Sequence, residues 1–389
     1  MLGYLLARSG VEVVVLEKWP DFFRDFRGDT IHPSTMQNLH ELGLLEKFLK
    51  LPHQKTRQMV GYIGGEEVTI ADFSYVRTRC PYIAFIPQWD FLNFIAEEAK
   101  QFPSFKLLMH TEATGLIEEK GRVVGVTAKG QEGEYEIRAD LVVGADGRHS
   151  TIREASKLEL VETGVPIDVL WFRLAAFEND PERSLGFIDH GKVLVALDRG
   201  DYWQCAFIIA KGHFDEIKSA GMEHFRATIA RLAPYLSKSA EALSDWEQVK
   251  FLSVTIDHLK KWYKPGLLLI GDAAHAMSPL GGVGINLAVQ DAIAAGNVLV
   301  PAFKRGMPTE GDCVAIQKRR EFPTRMTQRL QVFMQDKFLT PYLKTKKHVR
   351  VPWPLRLFKV FPFLRYLPAR IVGIGFRPEH VRVAGSNWG

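Results

Sequence analysis

GLLLIGDAAHAMSPLGGVGINLAVQDA, residues 266–292, is the stretch whose reading decides the fold. Its apolar opening suits a strand buried on both faces, as in a parallel sheet. That strand delivers Gly271-Asp272 to a turn, and Pro279-Leu280-Gly281-Gly282-Val283-Gly284 leads into a helix starting near Ile285-Asn286. Three glycines in four residues cost conformational entropy unless a ligand must approach the backbone closely. The amides from Gly282 to Asn286 stand at a helix N-terminus, where the exposed N–H groups and the helix dipole favour negative charge. Asp272 is suited to hold a ribityl or ribose hydroxyl. His275 reads as a packed core histidine rather than a catalyst.

A second strand-to-turn unit lies upstream in DLVVGADGRHSTIRE, residues 140–154. Strand ends in doubly wound sheets line the ligand crevice. Gly147 allows the chain close to a phosphate, Asp146 can accept from nearby amides, and Arg153 can neutralise a pyrophosphate. A third signal is VEVVVLE, residues 11–17, a β-branched run behind a helical LGYLLAR (2–8) with Gly10 as its stop. Glu17, at the end of that strand, is placed to accept from ribose hydroxyls. A helix followed at once by such a strand is the second half of a βαβ unit. The first half, with a GxGxxG phosphate loop, is expected upstream of Met1.

Between these units lie a helix pair at 34–50 with Ser34 or Thr35 as N-cap, a hairpin within 57–84 turning at Gly64-Gly65, and a helix at 89–101. Residues 165–262 alternate apolar and polar, as an antiparallel sheet with one covered face does, interrupted by a helix near 221–235. The expected architecture is α/β. A three-layer dinucleotide-binding domain (1–56, 85–160 and 263–330) is interleaved with a mixed or antiparallel substrate sheet (57–84 and 161–262), and a helical tail follows (331–389).

Composition narrows the function classes. The 389 residues are 46% hydrophobic and 24% charged, which excludes disorder, collagen and coiled coil. Fifty cations against 45 anions are too evenly balanced for a nucleic-acid binder. The scattered Cys80, Cys205 and Cys313 exclude a disulfide framework or zinc ribbon and fit a reducing, cytoplasmic setting. No residue cluster has metal-ligand spacing, and no apolar run reaches the ~18 residues of a membrane span.

Glu17, the 140–153 unit and the 271–286 unit, in this order, resemble the FAD-dependent aromatic hydroxylases of the p-hydroxybenzoate hydroxylase type. RGDTIHPSTMQNLHELGLLEKF (27–48) is similar to the segment after the ribose acid in that family, and RPEHVR (377–382) to the tail of one bacterial branch. The resemblance implies FAD as cofactor, with Arg27 at its ribose and pyrophosphate and Gln88 near the ribityl chain. Asp272 and Asn286 would lie at the flavin with Gly271, Gly282 and Gly284, while Pro279, Gly281 and Gly282 would flank the ring and the oxygen site. It implies that NADH or NADPH reduces the flavin, that O2 adds at flavin C4a, and that the hydroperoxide passes an oxygen to an aromatic or polyketide-like substrate. Family members open with the strand and GxGxxG, so a start placed too late, or a truncation, is expected here rather than a working short form.

Two rival readings stay open: another FAD oxidoreductase on the same scaffold, and a non-catalytic remnant. A halogenase ranks low because no WxWxIP-type motif is present. Trp171, Arg173, Phe187, Trp203 and Gln204 are conceivable pocket residues, although sheet packing is the simpler reading of each. The tail VPWPLRLFKVFPFLRYLPARIVGIGF reads most simply as packing over the FAD domain or as a homodimer contact. A membrane-surface helix is its second reading, against which four prolines break any long helix.

Overall fold

The computed structural model describes residues 1–23, 30–181 and 183–383, so Arg27 lies outside the described residues. The first helix, Leu2–Arg8, ends at Ser9, and Gly10 follows in the left-handed region at φ 81°. Strand Val13–Leu16 pairs in parallel with Phe105–Leu108. Strand Leu267–Leu269 pairs in parallel with Val142–Gly144, so the turns that follow both strands leave the sheet at one end. Helix Gly284–Arg305 crosses behind, its Gly296 so close that a Cβ there would come 2.8 Å from Leu5. Tyr4, Leu5, Leu39, Phe91, Leu268 and Ile293 close this core.

A seven-stranded sheet builds the second layer. Its order runs Lys250–Ser253, Ile167–Ala175, Tyr202–Ala210, Lys192–Asp198, Leu185–Asp189, Gln58–Ile63 and Glu66–Asp72. All neighbours are antiparallel except 185–188 with 60–63. Leu170, Phe172, Trp203 and Phe207 face helix Met222–Leu232 through Phe225 and Ile229. The opposite face, including Val169, Trp171, Ala206 and Ile208, meets Leu280 and Val332. That second face looks toward the glycine loop.

Several local expectations change. The helix at 33–41 is capped by His32, not by Ser34 or Thr35. Pro33 suits the first helical position, where no N–H is needed, and the Thr35 hydroxyl donates instead to Asn286 Oδ1 at 2.7 Å. The stretch Leu280–Arg305 is long and apolar enough to cross a bilayer after all, but 67% of its most apolar window is buried within the protein, which is the behaviour of a core helix. The tail packs on both layers. Val381 and Val383 enter the first core, and helices Trp353–Val360 and Tyr366–Gly373 lie on the 66–72 strand.

One buried carboxylate joins these parts. Asp291, on the 284–305 helix, accepts from the Gly271 amide at 3.0 Å, from His275 Nε2 at 2.6 Å and from Arg320 Nε at 2.7 Å. Arg320 Nη1 stands 3.8 Å from Glu379, which Arg319 also holds at 2.6 Å. Burial alone would push the Asp291 carboxyl up, but the charges of His275 and Arg320 outweigh it and hold it below the ordinary range. His275 is therefore a hydrogen-bonded anchor rather than mere packing, and the 377–382 segment is wired to the turn at Gly271.

Two outcomes follow from these buried groups. Asp291→Ala leaves the buried Arg320 with only its longer contact to Glu379, and should cost about 3–5 kcal/mol in urea unfolding. His32, wholly buried, donates from Nδ1 to the Val372 carbonyl at 2.8 Å, while Nε2 has no partner among the described residues. Burial lowers its pKa from 6.5 to about 4. Between those values the unfolded chain binds the proton and the folded chain does not, so stability falls as pH drops from 6.5 toward 4. The shift is worth roughly 3 kcal/mol. His32→Gln should flatten that part of the stability-versus-pH curve.

Candidate functional site

Two turns and one loop converge at the shared strand ends. Gly271, at φ 60°, opens the first turn, and Asp272 follows on a half-buried ledge beside the second. Asp272 pairs with Arg148 at 3.7 Å, and a Cβ on Gly284 would lie 4.0 Å from its carboxylate. The loop backbone is left-handed at Gly281 (φ 81°) and Gly282 (φ 62°). A Cβ on Gly282 would stand 2.2 Å from Thr30 Oγ1, so only glycine fits there, and the Thr30 hydroxyl donates to the Gly282 carbonyl at 2.9 Å. On Gly281 a Cβ would meet only Val283, leaving that face open. Pro279 begins the loop at φ −65°.

Leu287 is the first residue of the 284–305 helix whose amide reaches back, to the Val283 carbonyl. The amides of Gly284, Ile285 and Asn286 therefore precede the helical ladder and are donors for a bound group. The Asn286 side chain is not. Its amide nitrogen donates to the carbonyls of Thr30 and Gly282, and its oxygen accepts from His32 N and Thr35 Oγ1. Asn286 thus offers a ligand its backbone alone and clamps the loop onto the 30–35 segment.

In the second turn, Asp146 accepts from the Ser150 hydroxyl and from the Ile152 amide at 3.1 Å. Ser150 caps helix Thr151–Ser156. Gly147 takes φ 85° with open space where a side chain would be. Arg153 departs from its expected role. Its guanidinium donates to the carbonyls of Arg148, Asp272 and Ala273 and pairs with Asp257 at 3.6 Å. It ties the two turns together. Arg148, which the sequence reading passed over, brings a buried Nη1 with no partner among the described residues to the same edge. Glu17 ends its strand half-buried and accepts from the Trp19 amide at 3.1 Å, and Gln88 is the first residue of helix Gln88–Lys100.

Glutamines of helix Glu310–Met334 and of the turn beyond it hold the loop from behind. Gln328 donates to the carbonyls of Asp257 and Ala276, Gln331 to those of Ser278 and Leu280, and Gln335 to the Ser278 hydroxyl. Their spacing of three and four residues, which puts them on one helix face, was the available signal.

On the facing sheet, the five pocket candidates divide. Phe187 and Trp203 belong to the far face, where Trp203 Nε1 donates to Asp180 at 2.8 Å. Gln204 accepts from Arg199, and Arg173 lies over the Tyr202 ring. Trp171 packs on the same apolar cluster as Leu280, and its indole nitrogen is buried without a partner among the described residues. Away from the loop, at the end of the 185–198 hairpin, Asp189, His190 and His348 form a trio of metal-type side chains that sequence spacing did not reveal.

The donor set fits a flavin dinucleotide: unladdered helix-start amides, an orphaned guanidinium nitrogen, an acid at the ledge and a glycine face open to a planar group. The comparisons agree. The FAD binding domain family matches residues 1–329. A 6-methylpretetramide 4-monooxygenase from Streptomyces rimosus is 32% identical over 87% of this chain and 81% of its own length. A para-nitrophenol 4-monooxygenase from a Pseudomonas strain is 25% identical over 82% and 79%. The solved structure of a probable FAD-dependent monooxygenase from Pseudomonas aeruginosa superposes with a TM-score of 0.74 at 21% identity, over 88% of this chain and 93% of that one, and so speaks for the fold. The chain belongs to the FAD-dependent aromatic hydroxylase family.

Proposed function

We propose that this monooxygenase hydroxylates a phenolic, fused-ring substrate of the aromatic polyketide kind, with NADH or NADPH as reductant and O2 as oxygen source. In balance, one O2, one reduced nicotinamide and one proton give a hydroxylated ring, oxidised nicotinamide and water. The observation that carries the reading is the packing of the glycine loop, through Leu280, against the Trp171 face of the sheet, an apolar cluster holding one indole N–H without a partner among the described residues. The relative that acts on 6-methylpretetramide supports the substrate class. Family membership favours this enzyme over a non-catalytic remnant.

When bound, FAD supplies the redox and oxygen-activating chemistry. The chain's own residues bind, orient and shield. Asp272 would accept from the sugar-alcohol hydroxyls, Arg148 would meet the diphosphate side, and Glu17 and Gln88 would lie toward the ribose and ribityl chain. Gly281 and Gly282 would present backbone without side chains to the ring face, with Pro279 at the start of the loop, and the amides of Gly284 to Asn286 would stabilise negative charge on its polar edge. The Trp171 indole N–H would donate to a substrate oxygen and so set which ring edge faces the loop. Fixed dipoles in a dry slot do this work without a nucleophile and base pair.

Asp272→Ala should weaken flavin retention about 10- to 100-fold, as expected for a lost hydrogen bond to a charged group, read as visible flavin absorbance per protein after gel filtration. Unchanged flavin content would sink the role given to Asp272. Trp171→Phe keeps the packing and removes the N–H. It should raise the substrate KM roughly 5- to 20-fold at unaltered flavin content, and an unchanged KM would remove Trp171 from the substrate site.

A further inference from the structure

The densest exposed apolar surface lies on the tail, away from the flavin loop. In helix Trp353–Val360, residues 353, 357 and 360 follow the spacing that shares one face. Trp353 is 73% exposed and Val360 67%. The chain then turns through Phe361 and Phe363, whose rings stand 6.0 Å apart edge to face, and reaches Leu367. Phe363 and Leu367 are 63% and 61% exposed. These helices are not loose. Leu355 packs with Ile63, Val68 and Val351, Ala369 enters the Phe73 cluster, and a Cβ on Gly373 would touch the Phe73 ring at 3.1 Å. The inner side is anchored, and the outer side offers aromatic and branched side chains to the surroundings. A contiguous patch of this kind on a folded chain marks an interaction surface.

Charge identifies the occupant. Between Asp336 and Glu379 the sequence holds ten lysines and arginines and no acidic residue, whereas the whole chain carries only +5. The rest of the protein is thus net negative, and the positive charge gathers on the tail that carries the apolar stripe, where Lys359 is paired with Glu66. Arg356 and Arg370 are exposed beside that stripe. A second copy of this chain docked by a twofold axis would set the cationic patch against itself. A single-stranded nucleic acid would use the rings but gain nothing from Leu357, Val360 and Leu367. An anionic lipid surface satisfies both features, since rings and aliphatic groups enter the acyl boundary while guanidinium and ammonium groups stay with the headgroups.

We infer that the outer face of residues 353–367, framed by the basic residues of the tail, docks this protein peripherally on anionic membranes. The inference is independent of the substrate proposed above. It places the enzyme where apolar aromatic compounds partition, with the 66–72 edge of the substrate sheet next to the bilayer.

The test is co-sedimentation of the full chain with phosphatidylcholine vesicles and with mixed phosphatidylcholine–phosphatidylglycerol vesicles, at low and high salt. The protein should pellet with the anionic vesicles and be released by salt. The double variant W353S/F363S, confined to exposed positions, should lower partitioning about tenfold or more while its melting temperature and flavin content stay unchanged. R356E/R370E should abolish the preference for phosphatidylglycerol. Brominated lipids should quench the wild-type tryptophan emission and spare W353F in proportion to the loss of Trp353. Failure to pellet with anionic vesicles at low salt overturns the inference, as does equal binding by W353S/F363S. A concentration-dependent dimer, lost in W353S/F363S and seen without vesicle binding, would assign the face to a second copy. Preferential binding of an oligonucleotide would assign it to nucleic acid.

Discussion

The Asp291 carboxylate is the constraint on which the site depends. One buried anion receives the backbone of the Gly271 turn, the ring of His275 and the guanidinium of Arg320. Three elements that are distant in sequence must therefore meet at one point, because leaving any of these groups unpaired in the interior costs several kcal/mol. Glu379 extends the same logic to the tail, where the Asn38 side chain donates to its carbonyl at 2.7 Å. The turn that carries Asp272 is thus held by polar contacts whose geometry is specified, not by apolar contacts that tolerate sliding.

A second clamp fixes the loop. The Asn286 side chain spends its whole hydrogen-bonding capacity on Thr30, His32, Thr35 and Gly282, and the glutamines from the far helix take the carbonyls of Ala276, Ser278 and Leu280. The left-handed backbone at Gly281 and Gly282 persists because its surroundings over-determine it. Among the described residues, the groups left open beside the loop include the face of Gly281, the first amides of the helix, Arg148 Nη1 and the Trp171 indole. A binding site is, in these terms, the set of groups that the fold leaves unsatisfied in one place.

Much of this was readable before any coordinates. The strands before Gly271 and Asp146, the glycine loop and the helix after it are local patterns, set by periodicity and by the conformational freedom of glycine. The roles of side chains were less readable. Arg153 looked like an anion partner and is an internal tie. Asn286 was read for its amide, which stays ahead of the helical ladder, while its side chain is a clamp. His275 is the buried core histidine expected, and it adds a hydrogen bond to Asp291. What local reading missed has the same origin each time, since the partner (Asp257, Thr30 or Asp291) lies on another element. Nothing in a local motif tells whether a polar side chain turns toward a ligand or toward the protein.

By itself the sequence determined the succession of buried strands, the turns that leave them, the glycines at which the chain can come close to a cofactor and the accumulation of positive charge in the tail. These follow from short-range rules: side-chain period, backbone sterics and net charge. The tertiary structure alone decided which donors remain free, which face of the large sheet looks at the loop, and that the apolar stripe of the tail points outward while Leu355 and Ala369 point in. The physical reason is that burial and hydrogen-bond satisfaction are properties of the whole packed chain, so they exist only once distant residues share one interior.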